Sequence, residues 1–149
     1  MTAAEVVDVL DKGVLVTLAL CRDSVPYLVT MDYAYDAAGR CLYCHCATEG
    51  KKLDFLRANP QVCGQVLFDD GYIKGQCEHA FRCVILDGRA ERVEDDAAKR
   101  RALELMVEHF EGPSPEAKER LIKGLDKVCI LRVRIESATG KRSPAKSEE

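Results

Sequence analysis

The order of the β-prone runs constrains this chain most. Six of them follow one another: "VLVTLAL" (Val14–Leu20), "PYLVTMDYAY" (Pro26–Tyr35), "RCLYCHCA" (Arg40–Ala47), "QVCGQVLFD" (Gln61–Asp69), "AFRCVILDGRAERV" (Ala80–Val93) and "KVCILRVRIES" (Lys127–Ser137). Within the second run Tyr27, Val29, Met31, Tyr33 and Tyr35 alternate onto one face, the signature of a half-buried strand. Gly88 interrupts the fifth run where a long strand has to bend. Helical patterns are fewer. One covers Ala3–Lys12 with a stop at Gly13, and a second covers Glu49–Ala58, capped by Thr48 and ended by Asn59-Pro60. A third opens at Asp95, with Ala98, Ala102, Leu105, Met106 and His109 or Phe110 on its inner face, and a short fourth covers Pro115–Lys123. Strands and helices do not alternate regularly, which excludes a parallel doubly wound sheet. The expected fold is mainly β: a six-stranded antiparallel barrel with peripheral α-helices.

A chain of 149 residues, 47% hydrophobic, is long enough for one core, so residues 1–149 are read as a single domain with a polar, partly flexible tail over 137–149. Its formal net charge of -3 gives no bulk attraction to nucleic acid or to an anionic membrane. The start, "MTAAEVVDVLDKG", lacks the basic and apolar regions of a signal peptide, and no run reaches membrane-spanning length. Eight cysteines without an export signal are expected as reduced thiols in a cytoplasm rather than as a disulfide framework.

Those cysteines raise the first functional question, because "CLYCH" (Cys41–His45) has the C-x-x-C-H spacing of covalent haem attachment. In a strand, Cys41 and Cys44 point to opposite faces and cannot both reach one macrocycle. A structural zinc site would need a second C-x-x-C knuckle, which is missing, so no metal site is expected. Thiols that simply fill the barrel remain the plain reading. His79 reads as an exposed loop histidine and His109 as a helix-surface one. "ATEGKK" offers a local anion site instead: Lys51 and Lys52 stand in the first turn of the second helix, where free amides and the positive end of the helix attract negative charge. A solvated lysine pair is the alternative.

In order, "VPYLVTMDYAYD" (Val25–Asp36), "LYCHCATEGKKLDFLRANPQVCGQV" (Leu42–Val66), "FRCVILDGRAERVED" (Phe81–Asp95) and the closing "TGKRS" resemble the FMN-binding split β-barrel family. This family is related to pyridoxamine 5'-phosphate oxidase, and the resemblance is strongest to its nitroimidazole-reductase-like branch. The resemblance implies a homodimeric split barrel with FMN at the subunit interface. Leu28, Val29, Thr30 and Met31 would lie along the flavin ring through their backbone. Cys44, His45 and Cys46 would pass near the ribityl chain and phosphate, and Lys51 and Lys52 would bind the phosphate. Arg82, Cys83 and Val84 would come from the partner chain. This chain has "FRCV" where members of the branch often have "YRSV", so Cys83 departs from the pattern.

The activity implied is that of an FMN-dependent oxidoreductase, taking electrons from a small-molecule donor and reducing a nitro-aromatic or quinone acceptor. His45 is the candidate proton donor, since imidazole changes charge near neutral pH. No G-x-G-x-x-G fingerprint occurs, so a nicotinamide donor would bind only transiently. Two other readings stand beside this one: a flavin-binding or electron-carrier module without turnover, and a protein that binds haem non-covalently.

Overall fold

The computed structural model describes residues 1–124 and 127–144. In chain order its elements are α1 (Ala3–Lys12), β1 (Leu15–Arg22), β2 (Val25–Asp32), β3 (Ala34–Asp36), β4 (Cys41–Cys46), α2 (Lys51–Ala58), β5 (Gln61–Ile73), β6 (Glu78–Arg92), α3 (Asp96–Glu111), α4 (Pro115–Ile122) and β7 (Cys129–Ser143). All strands join one antiparallel sheet in the order β2-β1-β5-β6-β7-β4-β3. The fold is the mainly β split barrel with peripheral helices that the sequence leads one to expect.

The strand count differs by one, and the reason is local. The run Pro26–Tyr35 is continuous in sequence but changes partner at Tyr33. Residues Val25–Asp32 pair with β1, and Ala34–Asp36 pair with β4 at the opposite edge of the sheet. A single extended segment therefore supplies both edges and curls the sheet into a barrel. Tyr33 fixes the corner, since its ring is fully buried and its hydroxyl donates to the Leu10 carbonyl at 2.7 Å. Its amide also donates to the Val14 carbonyl.

Turn chemistry sets the hairpins. Asp23 and Ser24 join β1 to β2 with φ of 52° and 63°, the paired left-handed residues of a two-residue turn that matches strand twist. The segment 70–79, which lies between two of the β-prone runs, is mostly strand: β5 continues to Ile73 and β6 begins at Glu78, with Gly75 and Cys77 turning the chain at positive φ. His79 accordingly lies in β6, with its Nε2 2.6 Å from Asp69 Oδ1. Gly88 marks a register shift between β6 and β7. A Cβ there would lie 2.1 Å from the Arg134 carbonyl oxygen, so the bend needs a residue without one. The tail expected over 137–149 is strand as far as Ser143, because β7 pairs with β6 up to Ser143↔Phe81; residues 145–149 lie outside the described part.

Two apolar clusters result. Inside the barrel, Val16, Leu18, Leu20, Val66, Val84, Leu86 and Leu131 are all at most 2% exposed. Each such aliphatic side chain contributes roughly 1.5–3 kcal/mol by leaving water. α1 adds Val9 and Leu10 to this cluster. The second cluster lies on the other face of β4, where Cys41, Tyr43 and Ile130 meet Ala102, Leu103 and Met106 of α3. α3 buries Ala102, Leu103, Met106 and Val107, so its inner face is rotated from the expected one and Leu105 is only half-buried. His109 is not a free surface residue: its Nε2 lies 2.9 Å from the Gly13 carbonyl oxygen and links α3 to the end of α1.

Candidate functional site

The change of partner at Tyr33 leaves a seam. The edge of β2 away from β1 pairs with no strand among the described residues. Across from it, β3 pairs with β4 only as far as Tyr43, leaving Cys44, His45 and Cys46 unpaired on that side. Backbone amides and carbonyls that lack a ladder partner need one from elsewhere, and a planar molecule with a polar rim can supply it.

α2 closes one end of this seam. Its first residue is Lys51 rather than Glu49, and its N-cap is Gly50 at φ 135°, with no side-chain cap; the expected Thr48 cap is not made. The Leu53 and Asp54 amides donate to the Gly50 carbonyl at 2.9 and 3.2 Å, so the amides of the preceding residues stand ahead of the first helical bonds. Leu53, Phe55 and Leu56 anchor the helix in the barrel core. Phe55 packs against Tyr27 of β2, with ring centroids 5.2 Å apart. The Lys51 ammonium sits 4.4 Å above the Tyr27 ring and 5.6 Å from Phe55, which carries the positive end of α2 to β2. Lys52 is half-buried and close enough to Cys44 and Cys46 to act on both thiols.

Leu28, Val29, Thr30 and Met31 alternate across β2. Val29 and Met31 turn inward, whereas Thr30 and the 66%-exposed Leu28 turn outward. What the four share along the seam is backbone. His45 is exposed, on the α3 face of β4 with Cys41 and Tyr43, whereas Cys44 is fully buried on the barrel face. Burial pushes the Cys44 thiol up to about 12, aided by Cys46 and Asp32 and opposed by Lys52. Burial first and then Cys129, its cross-strand neighbour, push Cys46 up to about 11. Both are therefore neutral thiols near pH 7, which suits packing and not nucleophilic attack. No cluster of ligands fit for a metal ion occurs among the described residues.

Arg82, Cys83 and Val84 are not brought to this seam within one chain, since β6 is separated from β2 by β1 and β5 and from β4 by β7. Their side chains diverge. Val84 is fully buried in the core, and Arg82 is held by Asp70 through two bonds of 2.9 and 3.0 Å. Cys83 lies on the outer face of the sheet, accepting from Gln65 Nε2 at 3.3 Å. Its neighbours there include Leu67 and, along β6, Ile85, exposed by 55% and 38%, and that face continues across β1 to Leu28 of β2. His79 lines a shallow hollow on the same face with Phe81 and Cys83.

Sequence reasoning missed two parts of the site. Alternation places Tyr27 only on a strand face, and its contact with Lys51 spans residues no local pattern connects. Asp32 and His45 share the mouth of a cavity whose walls come from α3 and α4. The i, i+3, i+4, i+7 spacing of Leu103, Met106, Val107 and Phe110 was the signal for those walls.

Solved structures with this architecture include an FAD-binding protein from Mesorhizobium loti, 28% identical, covering 96% of each chain with a TM-score of 0.72. A protein of Bacteroides thetaiotaomicron provisionally assigned to 5-nitroimidazole antibiotic resistance is 21% identical, covers 93% of this chain and 82% of its own, and has a TM-score of 0.76. The flavocytochrome Anf3 from Azotobacter vinelandii is 24% identical over 99% of this chain and 70% of its own, with a TM-score of 0.78. The last two likenesses show the fold alone. Among curated sequences, the uncharacterized protein RA0666 of Rhizobium meliloti is 41% identical over 66 residues, 44% of this chain and 42% of that protein. The match thus spans less than half the length of that relative. The sequence profile described as pyridoxamine 5'-phosphate oxidase matches residues 2–142, nearly the whole chain, and on that match the chain belongs to the pyridoxamine 5'-phosphate oxidase family.

Proposed function

We propose that this protein is a cytoplasmic, homodimeric flavoprotein that holds FMN in the seam between β2 and β4 and reduces a small acceptor. The observation that carries the reading is the seam itself: two facing stretches of unpaired strand backbone, Leu28–Met31 and Cys44–Cys46, end at a helix start with Lys51 and Lys52 and no side-chain cap. The polar rim of an isoalloxazine suits the strand edges, and a phosphate suits the helix start. The FAD bound by the Mesorhizobium loti protein supports a flavin. The lysine pair supports a terminal phosphate, hence FMN.

Flavin, when bound, supplies the redox chemistry. The chain's own residues then have separate tasks. Lys51 and Lys52 neutralise the phosphate, and the β2 backbone fixes the ring. His45, exposed at the end of β4, holds a proton that it can give to an acceptor oxygen or nitrogen. The second subunit would cover the outer face at Leu28, Leu67 and Ile85, large apolar side chains left exposed on one side of the sheet. Arg82, Cys83 and Val84 would be the partner's contribution, acting through their backbone, since Cys83 and Val84 are buried and Arg82 is held by Asp70. In the reducing compartment proposed, the eight cysteines would remain thiols.

The test is the visible absorption spectrum of the protein as purified, with any chromophore released by heat and identified by mass. A two-band flavin spectrum yielding FMN is expected, followed by reduction of quinones or nitro-aromatics on addition of a donor. FAD would leave the flavin reading and overturn the nucleotide assigned. A Soret band, or a colourless protein that refuses added flavin, would overturn the reading itself.

A further inference from the structure

The cavity shared by Asp32 and His45 has a volume of about 400 Å3. That size lies at the lower end of small-molecule sites. Its walls are Leu103, Met106, Val107 and Phe110 of α3, Leu121 of α4 and Val128 just before β7. Leu103 and Met106 also pack on the sheet, and with Val107 they are 2–4% exposed. Phe110 lies one turn further on and is 44% exposed, so it lines the cavity without being needed to close the core.

Charges cancel among the described residues of the rim. Arg120 pairs with Glu111 at 3.5 Å, and Lys127 and Asp32 supply one charge of each sign. An apolar hollow whose described rim charges cancel favours an uncharged ligand and disfavours the pyrophosphate of a dinucleotide. The one side chain of the proposed redox site that reaches it is His45, which can donate a hydrogen bond to a carbonyl oxygen.

We propose that this cavity binds an uncharged quinone of one or two fused rings, with a carbonyl toward His45, and that the α3–α4 hairpin sets the size accepted. This names the acceptor class and rests on the flavin reading for its role in turnover, although binding itself does not depend on flavin. The donor must therefore reach the flavin by another approach.

The probe is 2,3-dimethyl-1,4-naphthoquinone, whose substituted ring positions do not react with the free thiols. Equilibrium dialysis of the whole chain should give saturable binding of one quinone per subunit. Leu121→Arg and Phe110→Asp each place a charge on the apolar wall and should weaken it about tenfold or more, with flavin content unchanged. Phe110 is exposed enough for its variant to fold, which a thermal melt verifies. Absent binding by the natural chain, or undiminished binding by both folded variants, would overturn the inference. Quinone bound by a protein that takes no flavin would uphold the cavity and sink the flavin reading. Flavin bound without quinone would do the reverse.

Discussion

Replacing Lys51 by Met tests the phosphate assignment, because Met keeps the aliphatic stem against Tyr27 and removes only the charge. A charged hydrogen bond to phosphate contributes about 1.5–3 kcal/mol. Without phosphate, the ammonium lies 4.4 Å over Tyr27. At an exposed site such a contact is worth about 0.5–1 kcal/mol, and it is loosened when the lysine turns to a ligand. The net loss is then about 1–2 kcal/mol, or roughly 5- to 30-fold in Kd. Riboflavin has the same ring and ribityl chain but no phosphate, so its affinity should change by less than about twofold on the same reasoning. Quenching of flavin fluorescence, titrated with both ligands against both proteins, measures the difference directly. Equal weakening of FMN and riboflavin would refute the assignment and return Lys51 to the role of a cation resting on two aromatic rings. The FMN loss should also shrink at high salt, since the contact is exposed.

Gly88→Ala would drive a Cβ to within 2.1 Å of a backbone carbonyl that cannot swing away. It should cost at least the roughly 1–3 kcal/mol typical of overpacking, read as a lower urea midpoint. Ellman's reagent should react quickly with exposed Cys77, and with exposed Cys21 and Cys63 on the outer face only when that face is free. Leu67→Lys should therefore release a monomer on gel filtration and expose Cys63 at the same time; a variant that remains dimeric would move the interface elsewhere. Cys44 and Cys46 keep their protons in the folded state to about 12 and about 11, above the roughly 8.5 of an unfolded thiol. The stability they confer is fully present below that lower value and is lost as pH rises through the folded ones, so the urea midpoint should fall from about pH 9 upward. Cys44→Val should flatten that fall, and an unchanged slope would remove Cys44 as a cause.

Alternation was a reliable guide to faces and silent about partners. Tyr27, Val29, Met31 and Tyr33 turn inward as their spacing indicated, yet nothing in that spacing could reveal that the run leaves one edge of the sheet and joins the other at Tyr33. Side-chain periodicity survives a change of neighbour as long as the backbone stays extended. The same limit applies to His109, whose partner Gly13 is 96 residues away. Local chemistry was legible where a residue has few alternatives, as at Gly88, where only glycine fits the close approach. At α2, Thr48 offered a plausible cap and Gly50 took the position. A hydroxyl cap would have occupied an amide of the first turn. Glycine leaves those amides without a side-chain acceptor, so the misread cap and the proposed anion site are one feature.

The seam also accounts for the shape of the site. A barrel closed by a separate strand at each edge would pair every backbone group and leave nothing for a planar ligand to bind. Here one segment serves both edges and the two cannot overlap, because Tyr33 is held in the core by its bond to Leu10 and carries the chain across. The gap that follows is bounded by backbone, whose positions are set by the sheet and are insensitive to side-chain substitution. On the proposed reading, specificity falls to the side chains that border it: the lysines of α2, and His45 with the α3–α4 walls on the other face of β4. On this argument substitutions at Leu28 or Thr30 change subunit contact more than ring binding, whereas moving the Tyr33 corner disturbs both strand edges together. Tyr33→Ala should therefore abolish flavin binding even where the chain remains folded, and retention of flavin by a folded Tyr33→Ala protein would show that the seam does not depend on its corner.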